Sequence, residues 1–237
     1  MPLIRVLIVD DSAVLRQTLS QELGKDPEIE VVGTAPDPYV ARDMIVALKP
    51  DVVSLDVEMP RMDGITFLRK LMHYYPIPVV IVSSLTPKGS ALAVEALAEG
   101  AVAVCPKPRA AFSAAGVVED LREILKSAAW VDVRKRLKQD GQRPRLVNRS
   151  SLAQTTNAVL AIGASTGGTQ AIQTLLEGLP VNLPGTVIAQ HMPETFTASF
   201  AKRLADQCGL DVQEATTGAP VVPGKVYIAP GNTHLLV

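Results

Sequence analysis

Short apolar runs alternate with stretches of helical periodicity along the first 126 residues. Arg5–Val9, Ile29–Thr34, Asp51–Leu55, Val79–Ser83 and Val102–Cys105 are rich in Val and Ile, as befits strands buried on both faces. Between them apolar residues recur on one helical face: Leu15, Leu19 and Leu23 behind a capping Ser12, then Pro38–Leu48, Ile65–Met72, Ser90–Glu99 and Val117–Ala129. Five strands alternating with five helices predict an α/β domain with a parallel, doubly wound sheet. Right-handed crossovers then align the C-terminal ends of the strands, and whatever they carry, along one edge.

The pattern fails from Asp132 to about Asn157, where seven basic residues between Arg134 and Arg149 face only Asp132 and Asp140 among Gln, Ser, Thr, Gly and Pro. Such a stretch reads as a solvated linker. A nucleic-acid arm is the competing reading, but neither aromatic residues nor a recognition-helix pattern accompanies the charge. Periodicity resumes with a strand at Ala158–Ile162, a helix at Gly168–Leu176, a strand at Thr186–Ala189 and a helix at Thr195–Gln207. Further strands are expected at Asp211–Glu214, Lys225–Ala229 and Leu235–Val237. The expected organisation is a domain over 1–126, a linker over 127–157 and a second, incomplete doubly wound α/β domain over 158–237.

Composition narrows the function classes. An apolar fraction of 47% with 20% charged residues indicates packed globular structure. A net charge of −1 gives no global field toward nucleic acid or an anionic membrane. Cys105 and Cys208 have no metal-ligand spacing, which fits a reducing compartment. The apolar start is interrupted by Asp10 and Asp11, and no run approaches a membrane span, so a cytoplasmic protein that is not membrane-embedded is expected.

In a parallel sheet, Asp10 and Asp11 fall at the end of the first strand, Asp56 just beyond the third, Ser83 at the end of the fourth and Lys107 after the fifth. Converging carboxylates repel one another and call for a cation. Oxygen-only ligands suit a hard divalent ion, Mg²⁺ first. Carboxylate attack on a phosphoryl group, giving an acyl phosphate, is the chemistry this set permits. Capping acids with a surface lysine are the plain structural alternative for any one of these residues. Val-Asp-Asp-Ser at 9–12, Ser-Leu-Asp-Val-Glu-Met-Pro at 54–60, Met-Asp-Gly at 62–64 and Pro-Lys-Pro at 106–108 resemble a response-regulator receiver domain. The resemblance implies a flavodoxin-like fold, with Asp56 as phosphoacceptor. It also implies Mg²⁺ held by Asp10, Asp11, Asp56 and the Glu58 carbonyl, with Ser83 and Lys107 sensing the phosphoryl group. Val104 stands where receivers often carry an aromatic switch residue.

Gly163-Ala164-Ser165-Thr166-Gly167 fits the G-x-S-x-G pattern of an exposed nucleophile between a strand and a helix. Gly163-x-Ser165-x-x-Gly168 also approaches a dinucleotide loop, missing its middle glycine, and the loop alone leaves the two readings even. His191, after the strand Thr186–Ala189, favours the nucleophile because it supplies a general base at the same edge. His234 belongs to that edge without an assigned role. Ile-Gly-Ala-Ser-Thr-Gly-Gly at 162–168, Gln-His-Met-Pro at 190–193 and Pro-Gly-Lys-Val-Tyr-Ile-Ala-Pro-Gly at 223–231 resemble the catalytic domain of the chemotaxis protein-glutamate methylesterases. The resemblance implies hydrolysis of glutamyl methyl esters, and deamidation of glutamines, on chemoreceptors. Ser165 would be the nucleophile, His191 the base and the Thr166 N–H an oxyanion donor, with a chemotaxis histidine kinase as phosphodonor. In that family the triad aspartate lies downstream in a Gly-Met-Gly-x-Asp-Gly segment that these 237 residues do not contain, and neither Asp206 nor Asp211 stands in its context. The expectation is therefore a phosphorylation-regulated methylesterase represented by a C-terminally incomplete chain. The alternative is a phospho-accepting binding module impaired in catalysis, and a DNA-binding regulator has only the basic linker behind it.

Overall fold

The computed structural model describes residues 3–108, 114–135 and 158–237. Two compact units divide the chain, Met1–Asp140 and Gly141–Val237. No helix among the described residues is long and apolar enough to cross a membrane.

The first unit runs β1 (Ile4–Val9), α1 (Ala13–Leu23), β2 (Ile29–Ala35), α2 (Pro38–Leu48), β3 (Val52–Asp56), α3 (Gly64–Tyr74), β4 (Val79–Ser83), α4 (Pro87–Ala98), β5 (Ala103–Pro106) and α5 (Ala114–Ala128). The strands form one parallel sheet in the order β2-β1-β3-β4-β5. This is the expected doubly wound α/β architecture. Val6, Leu7 and Ile8 of β1 and every residue of β3 and β4 are buried, which explains why these strands lack polar alternation. Four of the helix starts are capped by the side chain that precedes them. Ser12 accepts from Leu15 N–H, Asp37 from Tyr39 and Val40 N–H, Asp63 from Thr66 N–H and Thr86 from Gly89 N–H. Strand order reverses between β1 and β3, so the crevice for a ligand opens over the ends of those two strands.

The second unit contains β6 (Val159–Ala164), α6 (Gly168–Gly178), β7 (Gly185–Gln190), α7 (Glu194–Cys208), β8 (Asp211–Glu214) and β9 (Lys225–Ile228). Its parallel sheet has the order β6-β7-β9-β8. Phe196, Phe200 and Leu204 form the buried face of α7, as their spacing predicts. Leu235–Val237, expected as a strand, is not one. The triplet pairs with neither edge strand, β6 or β8, and Leu236 and Val237 are 91% and 78% exposed. Of the expected linker, 136–157 lies outside the described residues; before it, α5 continues to Ala128, and Val133 is buried.

Candidate functional site

Two constellations form, one at the C-terminal edge of each sheet. In the first unit, one carboxylate oxygen each from Asp10, Asp11 and Asp56 lies within 4.8 Å of the others. Asp10 and Asp56 are buried and Asp11 is exposed. Lys107 follows β5 and reaches across the edge, its Nζ 2.7 Å from Asp56 Oδ2 and 3.0 Å from Asp10 Oδ2. Asp10 Oδ1 accepts the Ser12 N–H at 2.8 Å, and Asp56 Oδ1 accepts the Glu58 N–H at 3.1 Å. Gly64 is required where α3 starts, because a Cβ there would collide with the Asp56 carbonyl and Val57 Cα.

Burial pushes the Asp56 carboxyl up to about 6, with Asp10 adding repulsion; the Lys107 ammonium and the Glu58 N–H offset only part of the rise. Burial also opposes the charge on Lys107, but Asp56 and Asp10 outweigh it and hold the ammonium above the usual lysine range. Three carboxylates face the Lys107 ammonium, and the Arg16 guanidinium is bonded to the Asp10 and Asp11 backbone carbonyls, so acid exceeds base by one charge. Asp56 Oδ2 is buried, with the Lys107 ammonium at 2.7 Å as its partner among the described residues. The excess of acid fits a hard divalent cation bound by oxygen ligands.

The remaining expected residues are placed as follows. The Ser83 hydroxyl is fully buried and donates to the Gly89 carbonyl at 3.1 Å, anchoring the start of α4. Val104 is buried in β5. The Glu58 side chain accepts from Ser84 Oγ at 2.7 Å, joining the loops after β3 and β4. Neither Ser84 nor an ion pair between Arg61 and Asp37 was expected from the sequence.

In the second unit, Ser165 directly follows β6 and His191 directly follows β7. Ser165 Oγ lies 3.4 Å from His191 Nδ1, and both residues are exposed. Thr166 and Gly167 make the turn into α6, and Gly167 has a φ of 76°, the left-handed conformation a tight strand-to-helix turn needs. With Nδ1 facing the hydroxyl, the neutral tautomer able to accept its proton carries hydrogen on Nε2. Among the described residues no carboxylate pairs with His191. A cleft of about 560 Å³ opens beside the pair, lined by Gly163, His191, Met192, Gly231, Asn232 and His234 among others. Gln190 was missed as a functional residue. Its buried side-chain amide donates to the Ser165 carbonyl at 2.9 Å and the His191 carbonyl at 3.1 Å, clamping the two loop starts together. The signal available in sequence was a polar residue ending an otherwise apolar strand.

Residues 6–115 match the response regulator receiver domain family and residues 160–237 match the CheB methylesterase family. The chain is 57% identical over 234 residues to protein-glutamate methylesterase/protein-glutamine glutaminase 4 of Anaeromyxobacter dehalogenans, covering 99% of this chain and 65% of that relative. It is 51% identical over 236 residues to protein-glutamate methylesterase/protein-glutamine glutaminase 2 of Syntrophus aciditrophicus, covering 99% of this chain and 68% of that protein. The chain thus spans about two thirds of the length of these curated relatives. Among solved structures, the response regulator domain of Thermotoga maritima CheB is similar at 41% identity and a TM-score of 0.51, over 55% of this chain and 98% of that one.

Proposed function

Because the chain belongs to the receiver-linked protein-glutamate methylesterase/protein-glutamine glutaminase family, we propose that it is a phosphorylation-regulated chemotaxis enzyme of the cytoplasm. Its substrates are glutamyl methyl esters on chemoreceptors, and glutamines that it deamidates; its phosphodonor is a chemotaxis histidine kinase. The observation that carries the reading is the meeting of Ser165 and His191 at adjacent strand ends on a chain that also holds the Asp10–Asp11–Asp56–Lys107 cluster.

In the hydrolytic step His191 takes the Ser165 proton as Oγ attacks the ester carbonyl carbon, and the Thr166 N–H stabilises the oxyanion. The C–O bond to methoxide breaks, and the proton held by His191 leaves with methanol. Water, deprotonated by the same imidazole, then attacks the acyl-serine carbonyl; the bond to Oγ breaks, His191 returns the proton to Ser165, and the receptor side chain is left as a glutamate carboxylate. A glutamine side chain follows the same course with ammonia leaving. In the switch, the Asp56 carboxylate attacks phosphorus and the donor imidazole departs, leaving an acyl phosphate. Asp10, Asp11, Asp56 and the Glu58 carbonyl would hold Mg²⁺, which neutralises phosphoryl charge when bound. Lys107 supplies a second positive charge, and Ser83 lies at the end of the neighbouring strand.

Methanol release from methylated receptor, measured with and without acetyl phosphate and Mg²⁺, tests the reading. Covalent capture of Ser165 by an alkyl fluorophosphonate is scored in parallel, because it reads the serine–histidine pair directly. Capture that persists in His191→Ala at the same rate, or a phosphoryl adduct that survives Asp56→Asn, would overturn the assignments.

A further inference from the structure

The loop that follows Asp56 contains an uncommon bend. Arg61 has a φ of 68°, and across it the Met62 N–H donates to the Pro60 carbonyl at 2.8 Å. A three-residue turn with positive φ at its centre is rare and strained, and a residue bearing a Cβ persists there only when its surroundings hold it. Arg61 is so held. Its guanidinium pairs with the Asp37 carboxylate and lies 5.9 Å from the centroid of the Tyr39 ring. Exposed ion pairs contribute little as a rule, because both partners move. Asp37 does not move freely: it is 3% exposed, and its Oδ1 accepts from Tyr39 and Val40 N–H at the start of α2. The anchor is therefore part of the helix cap, and the strained turn is tied to it across 24 residues of sequence.

The same loop carries Glu58, whose N–H binds Asp56 Oδ1 and whose side chain binds Ser84. The path of the loop decides where the Glu58 backbone stands relative to the carboxylate cluster. We propose that the Arg61–Asp37 pair is a latch that holds the turn at residues 60–62 in its strained form and so presents the Glu58 backbone to a divalent cation. Arg61 and Asp37 are positioning residues on this view. The inference rests on the reading of Asp10, Asp11 and Asp56 as a cation site.

The test compares Mg²⁺ affinity of the full chain by calorimetry with metal-free hydrogen exchange of the 57–63 segment. Arg61→Ala removes the latch but keeps a Cβ at positive φ, so the strained turn loses what holds it. It is expected to bind Mg²⁺ about tenfold more weakly, a change of ~1.4 kcal/mol, and to exchange faster at Met62. Asp37→Asn keeps a capping oxygen but loses the charge, and shifts both readouts the same way. Arg61→Gly also loses the latch, yet glycine adopts positive φ without strain, so its Mg²⁺ affinity stays within about twofold of the parent. Unchanged exchange and affinity in Arg61→Ala would overturn the latch. So would an Arg61→Gly variant as weak as Arg61→Ala. A parent chain that fails to bind Mg²⁺ removes the cation site instead, and the exchange comparison then still judges the latch.

Discussion

Replacing Asp56 with Asn should stabilise the first unit, although Asp56 is the proposed phosphoacceptor. Its carboxylate sits in a strand end that is 1% exposed, and burial raises its pKa from 3.8 to about 6 even with Lys107 2.7 Å away. The folded unit therefore holds the Asp56 proton more tightly than the unfolded chain does. The stability associated with that proton is fully present below 3.8 and lost as pH rises through about 6. Asn stands in for the protonated acid at every pH. The expected advantage of Asp56→Asn is ~3 kcal/mol at about pH 7.5 and ~1 kcal/mol at about pH 4.5, and it disappears at lower pH. Hydrogen exchange of β1 and β3 peptides in EDTA reads this unit without interference from the second. Adding Mg²⁺ should narrow the gap by stabilising only the parent chain. An equal gap at the two pH values, or an Asp56→Asn variant no more stable at pH 7.5, would refute the argument that desolvation dominates this carboxylate.

Lys107→Met leaves Asp10 and Asp56 without their ammonium, so the Asp56 carboxyl should titrate above its present value of about 6 in carboxyl-carbon NMR; an unmoved titration would dismiss the pairing. Gln190→Leu keeps the volume but removes the donor that joins the Ser165 and His191 carbonyls, leaving the Ser165 carbonyl only its bond from the Gly168 N–H; with each lost hydrogen bond worth about 1 kcal/mol, fluorophosphonate labelling of Ser165 should slow about fivefold. Labelling at the parent rate would reduce Gln190 to a packing residue. The Thr197 hydroxyl has one proton for two acceptors, Glu214 Oε1 at 2.5 Å and the Glu194 carbonyl at 2.8 Å, and its oxygen accepts the Gly231 N–H. Thr197→Val should therefore destabilise the second unit by ~1–3 kcal/mol, read as faster exchange in α7 and β8 with Mg²⁺ binding by the first unit unchanged.

What could be read from the sequence was whatever depends on strand ends. Val-Ile runs located the buried strands, and the parallel topology then required Asp10, Asp56 and Lys107 to share an edge, as it required Ser165 and His191 to share another. Contacts that depend on loop paths were not legible. Arg61 carries no glycine to announce its positive φ, and its partner Asp37 lies 24 residues away in another loop. The Ser83 hydroxyl turned out to be committed to the Gly89 carbonyl, which residue type alone does not reveal. Leu235–Val237 failed for the opposite reason: an apolar triplet satisfies the composition of a strand but supplies no partner for its backbone.

Register explains why both constellations form with so little loop between strand and reactive group. In the first sheet Val9 stands opposite Leu55, so the next residues, Asp10 and Asp56, leave adjacent strands side by side. In the second, Ala164 stands opposite Gln190, which puts Ser165 beside His191. Successive side chains on a strand point to opposite faces, so a one-residue slip would reverse the alternation and replace each reactive pair with a mismatched one. In the first sheet the register is held by the ladders that β3 makes on both sides, Val9 opposite Leu55 and Asp56 opposite Val82, which a slip would have to break together. The ladder pairing of the strands thus also fixes the separation of the chemical groups at their edge. Substitutions deep in β3 or β7 should therefore alter chemistry through register before they alter it through stability.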